Sequence, residues 1–254
     1  MKKITIIILL IILITVLFAD EAEYNFAQNI EISYFKHLNI SGSVDVYFEQ
    51  NNDLSLTIHT QNEEDIDLIK VEQNKDEITI STHNKPNNKN KISFLQVLLN
   101  LKKNNETTSK NQQILIKISS PDLASIKISG ASDFYIEKEI ITNNLFIKSS
   151  GASDIKINNI TADELILENS GASDVFLTGS TNDLYIKANG ATDIKASNLH
   201  CINSYIKASG ASDINLNVQN NLNVSLSGAS TLKYKGNPNI KQTTTGASEV
   251  IKLN

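Results

Sequence analysis

The stretch Ser129-Gly130-Ala131-Ser132-Asp133 begins a series of near-identical copies that continues almost to the end of the sequence. Its glycine recurs at seven equivalent positions, which are Gly130, Gly151, Gly171, Gly190, Gly210, Gly228 and Gly246. The successive spacings are 21, 20, 19, 20, 18 and 18 residues, in a chain of 254 residues with only 10 glycines. A period of about 20 residues is typical of a solenoid, in which each repeat stacks on the next.

Apolar residues lie on both sides of each glycine at a spacing of two. Around Gly151 they are Leu145 and Ile147 before the turn and Ile155 and Ile157 after it. Such alternation indicates strands, and isoleucine favours a pleated backbone. A unit of two short strands cannot enclose a core alone, whereas stacked coils can. The sequence therefore predicts an all-β fold, a right-handed parallel β-helix or β-solenoid with coils of about 20 residues.

An acidic residue stands three positions after most of these glycines. The series is Asp133, Asp154, Asp174, Asp193 and Asp213, ending in Thr231 and Glu249. Stacked like charges repel each other unless they are compensated. In the preferred interpretation the carboxylates cap turn amides and pair with lysines three positions before the glycines, at Lys127, Lys148, Lys187 and Lys207. In the other, adjacent aspartates are weak candidates for a calcium site; we expect no metal and no cofactor.

The fifth position before the glycine is less polar than an outward position usually is. It holds Phe146, Ile166, Tyr185 and Tyr205 in successive repeats. If these side chains face solvent, they form a stripe that suits a sugar face or a protein partner. These four residues are the candidate binding site. The alternative is a packing ladder between coils that only stabilises the sheet.

The N-terminal segment has the pattern of an export signal. Lys2 and Lys3 precede an apolar run from Ile4 to Phe18. About 15 apolar residues behind a short basic region are typical of a signal peptide, since a spanning helix needs about 20. Residues 1–19 are therefore predicted to be a signal peptide or an uncleaved anchor. We expect the protein in the periplasm, on the outer surface or secreted, with membrane contact only through this segment if it stays uncleaved.

Residues 24–254 are expected to form the β-solenoid domain. Residues 121–254 carry the seven Gly-Ala-Ser/Thr repeats, and residues 24–120 are interpreted as diverged N-terminal coils, including the alternating stretches at 54–58, 66–71 and 78–80. The stretch Ser41-Gly42-Ser43 looks like a degenerate turn of the same kind. A polar insertion at 84–113 interrupts this half. Residues 92–103 within it have the spacing of a short amphipathic helix, either a lid or a helix for a membrane surface or partner.

Composition excludes several classes of function. The sequence contains no arginine, so all 23 basic residues are lysines, and its net charge is −5. Nucleic acid is therefore not an expected partner. The single Cys201 excludes an intrachain disulfide and is expected to be a small buried residue. The carboxylates lie in a regular column and no pair is set apart for acid–base chemistry, so we expect no enzyme activity.

The repeats and two further segments resemble a known family. The Ser-Gly-Ala-Ser-Asp copies, the segment Ile118-Ser119-Ser120-Pro121-Asp122-Leu123, and Gly236-Asn237-Pro238 ahead of Thr245-Gly246-Ala247-Ser248 are similar to the bacterial head GIN domain family, described as putative auto-transporter adhesins. The resemblance covers about residues 28–254. It implies an exported β-helix-like domain with an adhesive role.

The sequence thus favours an exported, non-enzymatic β-solenoid that acts as an adhesin or a surface or periplasmic binding protein. A glycan or a protein surface is the expected ligand. Two alternatives stay open. One is a carbohydrate-active β-helix enzyme, a polysaccharide lyase or hydrolase, and the other is a structural envelope protein.

Overall fold

Alternating apolar residues form strands that run parallel from coil to coil. The computed structural model describes residues 24–82 and 113–253. It is a parallel β-solenoid of about six turns with coils of about 20 residues, which confirms the predicted fold class. The strands are β1 (Phe26–Asn29), β2 (His37–Gly42), β3 (Asp45–Gln50), β4 (Ser55–Thr60), β5 (Ile69–Asn74), β6 (Glu77–Thr82), β7 (Ile114–Ser120), β8 (Ser125–Gly130), β9 (Asp133–Ile136), β10 (Ile140–Gly151), β11 (Ile155–Gly210), β12 (Asp213–Leu226), β13 (Thr231–Lys235), β14 (Asn239–Thr244) and β15 (Glu249–Lys252).

The glycine turns divide the coil into two faces. Strands that lead into a turn, such as β2, β8 and β14, form what we call the pre-turn face, and strands that follow a turn, such as β3, β9 and β13, form the post-turn face. The extended stretch β11 is 56 residues long and passes round nearly three coils. Equivalent residues pair between coils, for example Gly130 with Gly151 and Gly151 with Gly171.

The core is a set of apolar columns inside the coils. At the fourth position after the turn glycine, the side chains are no more than 1% exposed: Phe134, Ile155, Val175, Ile194, Ile214 and Leu232. The equivalent Val250, in the C-terminal coil of the described residues, is only half-buried. The predicted inward columns are therefore confirmed along the repeats, and burial weakens only at this end.

Small residues at the corner let the coils approach closely. Gly171 has a φ of +138°, and a Cβ on it would overlap the carbonyl oxygen of Gly151. The glycine carbonyls accept hydrogen bonds from amides of the next coil. Ala152 N, for example, donates to Gly130 O at 2.9 Å. The buried hydroxyls of Ser132 and Ser212 donate to the glycine carbonyls of the preceding coil. The corner thus satisfies its polar groups between coils.

The degenerate turn at Gly42 belongs to the same column. Gly42 pairs in register with Gly130, although most of the N-terminal half separates them in sequence. On the other side, β6 pairs with β2 and β7 pairs with β3, both in parallel. Strands β6 and β7 therefore form the terminal coil of the stack. Residues 83–112 connect them and lie outside the described residues, with most of the 84–113 insertion and the helix expected at 92–103.

Two N-terminal stretches do not form diverged coils. Strand β4 runs antiparallel to β7, and β1 in turn runs antiparallel to β4. Strand β5 runs antiparallel to β6. The interpretation of 54–58 and 66–71 as coils was wrong in this respect. The physical reason is the open edge of the terminal coil formed by β6 and β7, since reversed strands cover backbone groups that would otherwise pair with another chain. The segment 1–19, including the predicted signal, also lies outside the described residues.

Candidate functional site

The pre-turn face carries rows of outward side chains, because alternate residues of its strands point to solvent. The row five positions before the glycine contains Tyr185 and Tyr205. The row three positions before the glycine contains Lys187 and Lys207. The core residue Ile206 lies between the two rows of its coil and is 3% exposed. The face thus presents an aromatic row beside a basic row.

A groove of about 510 Å³ opens on this face. Among the residues that line it are Ile166, Tyr185, Tyr205, Asn223, Lys207 and Lys241. Three members of the sequence-predicted stripe therefore meet at one groove. The fourth, Phe146, is half-buried and pairs in register with Ile166, but it does not line the groove.

The two tyrosines stack on each other. Their ring centroids are 4.7 Å apart and the ring planes differ by 9°. Each ring therefore covers one face of the other, which is the packing ladder given above as the alternative interpretation. On the far side of Tyr205 the residue in register is Asn223, followed by Lys241. Asn223 carries no ring, so the aromatic stack ends at Tyr205, which is 37% exposed. We call the face of the Tyr205 ring that points away from Tyr185 its free face.

Charges surround the aromatic row unevenly. Lys187, Lys207 and Lys241 are exposed and form no ion pair within residues 24–82 and 113–253. Glu168, which also lines the groove, is neutralised by Lys148 at 3.0 Å. The groove is therefore locally basic in a chain whose net charge is −5.

Acidic residues lie on the other side of the aromatic row. Partial burial, the charge of Asp183, the neighbouring Tyr205 and the charge of Glu164 together raise the pKa of Tyr185. Asp183 is also engaged within the solenoid, because it accepts a hydrogen bond from Asn203 Nδ2 at 2.9 Å. The lysine side of the groove is thus the side open to an anion.

The aspartate column caps the corner of the following coil. Asp133 Oδ1 accepts the amide of Asp154 at 2.9 Å, and Asp154 Oδ1 accepts that of Asp174 at 3.3 Å. Lys195 Nζ lies 3.0 Å from Asp193 and 3.9 Å from Asp174, and these contacts raise the pKa of Lys195. The turn-capping interpretation is confirmed for the aspartates that show these bonds.

The expected lysine partners were wrong. None of Lys127, Lys148, Lys187 and Lys207 pairs with an aspartate of the column in the described part of the chain, and Lys148 contacts Glu168 instead. The reason is the corner, which places the lysines on the pre-turn face and the aspartates on the post-turn face. Within the described ranges, no group of three His, Cys, Asp or Glu side chains is arranged to hold a metal ion.

The sequence analysis missed a second aromatic pair on the post-turn face. Tyr47 and Tyr135 stack with centroids 4.6 Å apart, beside Asp45 and Asp133, which are in register. Partial burial and the charge of Asp133 raise the pKa of Asp45. The signal was available in the sequence, since Tyr47 and Tyr135 both stand five positions after a glycine of the column.

A ladder of amides and carboxylates was also missed. Asn182 Nδ2 donates to Asp163 at 3.0 Å, and Asn221 Nδ2 donates to Asn203 Oδ1 at 2.7 Å. These side chains lie near the corner opposite the glycine turns, where Asp163 and Asn182 line a groove of about 850 Å³. Asn203 and Asn221 recur seven positions before a glycine, so the repeat itself carries the signal.

Cys201 does not provide a nucleophile. Its side chain is buried, as the sequence predicted, and burial raises the pKa of the thiol to about 12. A thiol with such a pKa stays protonated near neutral pH, and the thiolate is the reactive form.

Known proteins are similar to this chain in sequence and in fold. Residues 34–238 match the family model described as "putative auto-transporter adhesin, head GIN domain". A solved structure of a putative adhesin from Bacteroides fragilis is similar, with 22% identity and a TM-score of 0.75 over 90% of this chain and 96% of that chain. A putative lipid binding protein and a putative adhesin, both from Parabacteroides distasonis, are 18% and 16% identical with TM-scores of 0.63 and 0.65 over the same shares.

At these identities the structural similarity shows the fold alone. The comparison with curated proteins gave no significant match. In residues 24–82 and 113–253, no helix is both long and apolar enough to cross a membrane.

Proposed function

Because the chain belongs to the family described as "putative auto-transporter adhesin, head GIN domain", we propose that it is an exported, non-enzymatic adhesin that holds a surface ligand in the groove of its pre-turn face. The observation that carries this proposal is the exposed ring of Tyr205, which ends the aromatic stack, beside a row of lysines without ion pairs in the described chain. The groove combines an aromatic surface with polar groups, as binding sites commonly do.

The groove supports binding better than catalysis. A glycosidase needs two carboxylates at a defined separation, one of them with a raised pKa. Among the described residues that line the groove, one is acidic, Glu168, and Lys148 neutralises it. Catalysis in this groove would therefore lack its acid–base pair, which favours a binding role.

The test is a binding screen with a turnover readout. We expect the purified protein to bind members of an array of glycans, matrix proteins and lipid vesicles, and to release no product from them. Vesicles belong in the screen because one similar structure is named a putative lipid binding protein. Absence of binding to every probe would contradict the proposal and favour a structural envelope protein, and product release would favour the enzyme.

Tyr205→Ser and Tyr135→Ser form a matched pair for the same screen. Each variant removes one ring of a stacked pair, but only Tyr205 lies in the groove. Binding should fall for Tyr205→Ser and stay unchanged for Tyr135→Ser. An equal loss in both would indicate a general effect on stability and would contradict a role for the groove.

Export is proposed from the sequence of the N-terminal segment. Expression of the full chain in a bacterial host should place the protein outside the cytoplasm, with a new N-terminus near residue 20 if the signal is cleaved. Replacing Lys2 and Lys3 by glutamate should reduce export, because the basic region orients the segment. Cytoplasmic accumulation of the natural chain would contradict the proposal.

A further inference from the structure

Tyr205 ends the aromatic stack of the pre-turn face. Tyr185 covers the opposite face at 4.7 Å, so the pair is fixed in orientation. Above the free face lies Asn223 in the next coil and Lys241 in the one after it, both in register. The change from tyrosine to asparagine shortens the outward side chain at this point of the row; we call this position the notch, and it lies in the groove.

Polar groups surround the notch on its exposed side. The Asn223 amide offers a donor and an acceptor, and the hydroxyls of Ser225 and Thr243 lie along the same groove. A ligand that stacks on the ring must therefore have an apolar face and a polar rim. A sugar ring has this combination, whereas an acyl chain would leave these polar groups without partners.

The charges select among sugars. Lys187, Lys207 and Lys241 line the groove, and none of them has an ion-pair partner within the described residues. Glu168, the opposing charge, already pairs with Lys148 at 3.0 Å. A neutral sugar would form no charge-assisted hydrogen bonds with these lysines, whereas a carboxylate or sulfate between Lys207 and Lys241 would form them.

We propose that the groove binds an acidic saccharide, with one ring stacked on the free face of Tyr205 and its anionic group held by Lys207 and Lys241. This inference rests on the proposed function and specifies its ligand class. An acidic peptide or an anionic lipid surface would use the lysines but would not require the free face of the ring. The test must therefore separate the ring from the charge.

Titration calorimetry with four probes makes this separation. The probes are a uronic acid oligosaccharide, the neutral oligosaccharide of the same length and linkage, a poly-glutamate peptide and vesicles containing phosphatidylglycerol. The acidic oligosaccharide should bind at least about tenfold more tightly than each of the others, which is the effect of one charge-assisted hydrogen bond. Its affinity should fall with rising salt concentration.

Three variants locate the site. Asn223→Tyr should fill the notch by extending the stack, so binding is lost while the unfolding transition is kept, because tyrosine is well accommodated in strands. Lys207→Gln should weaken the acidic oligosaccharide about tenfold and leave the neutral one unchanged. Lys127→Gln, in the same row but outside the groove, should change neither.

The results separate this inference from the proposed function. Equal binding of neutral and acidic oligosaccharides, preference for the peptide or the vesicles, or full binding by Asn223→Tyr would overturn the inference, while the adhesive role would still stand on the array result. Silence of all four probes, together with array ligands of another class, would also overturn it. Silence of the whole array would contradict the proposed function itself.

Discussion

At the scale of single residues, the corner glycine is required where a coil sits directly on another backbone. Gly171 combines a φ of +138° with a Cβ position that overlaps the carbonyl oxygen of Gly151. At Gly42 the closest atom is instead the Thr82 side-chain hydroxyl of the terminal coil. Backbone cannot move away without breaking the inter-coil hydrogen bonds, whereas a side chain can rotate. The two positions should therefore respond differently to the same substitution.

Gly171→Ala should lower the free energy of unfolding by about 2–4 kcal/mol, because backbone strain and overlap add. Gly42→Ala should cost less, and Ser170→Ala, at an exposed neighbouring position, should change stability by under about 0.5 kcal/mol. Urea unfolding followed by circular dichroism measures all three. Equal costs at Gly171 and Gly42 would contradict the packing account.

Asp45 offers a prediction on pH. Its pKa is raised in the folded state by partial burial and by Asp133, its partner in register. The folded protein therefore binds this proton more readily than the unfolded chain does. Above the folded pKa, the ionised Asp45 carboxylate lowers the stability of the fold. Asp45→Asn should accordingly be more stable than the natural protein near pH 7, by about 0.2–1 kcal/mol, the cost of opposed like charges.

This advantage should begin to shrink as the pH falls through the raised folded pKa of Asp45, and it should be gone below the ordinary pKa of the carboxyl in the unfolded chain, where both states bind the proton. Denaturation curves at a series of pH values test it. A constant difference between Asp45→Asn and the natural protein across the series would refute the assignment.

At the scale of elements, the ladder of tyrosines both stabilises the pre-turn face and orients the groove. Tyr185 and Tyr205 stack at 9°, so the binding surface depends on their contact. A double-mutant cycle with Tyr185→Ser and Tyr205→Ser should give a coupling energy of about 0.5–1.5 kcal/mol. Thermal or urea unfolding of the four proteins supplies it. A coupling near zero would indicate that the rings contact each other without stabilising the fold.

The repeat allowed much of the fold to be predicted, because inward and outward positions follow strictly from the period. It placed Tyr185 and Tyr205 outward in adjacent coils. It could not show that the rings face each other, nor that Tyr205 and Asn223 line one groove, since both depend on the exact register between coils. The lysine partners were wrong for a related reason, because a linear pattern does not show how sharply the corner separates two faces.

The N-terminal half shows where a repeat stops being informative. Strands β4 and β5 alternate like the coils but run antiparallel, because they cover an edge and do not continue the stack. Alternation gives the same signal for both directions. Gly42, by contrast, carried the turn signal and lies in the column as expected. The sequence pattern therefore could not predict the direction of these strands, but it did predict that Gly42 belongs to the turn column.

At the scale of the whole molecule, a solenoid should tolerate the loss of one complete coil. Each coil contacts only its neighbours, so stability is nearly a sum of local terms. Deleting residues 172–190 joins Gly171 to Ala191 and keeps the order of strand and turn. The product should still unfold cooperatively with the circular dichroism of a β protein, at a lower midpoint.

Deleting only residues 172–181 is the matched control. It removes about half a coil and joins a turn to a strand that leads into another turn, so the inward columns no longer align. This protein should aggregate or lose its cooperative transition. Equal behaviour of the two deletions would contradict a parallel solenoid with coils of about 20 residues.

The groove includes the point where the outward row changes from Tyr205 to Asn223, while the inward residues Leu222 and Val224 stay buried. The central claim is that this notch holds the ligand. Its most direct test is the array binding of the natural protein and of Asn223→Tyr side by side, with unfolding curves for both. The account predicts equal stability and loss of the array ligands in the variant, whereas unchanged binding by a correctly folded Asn223→Tyr protein would contradict it.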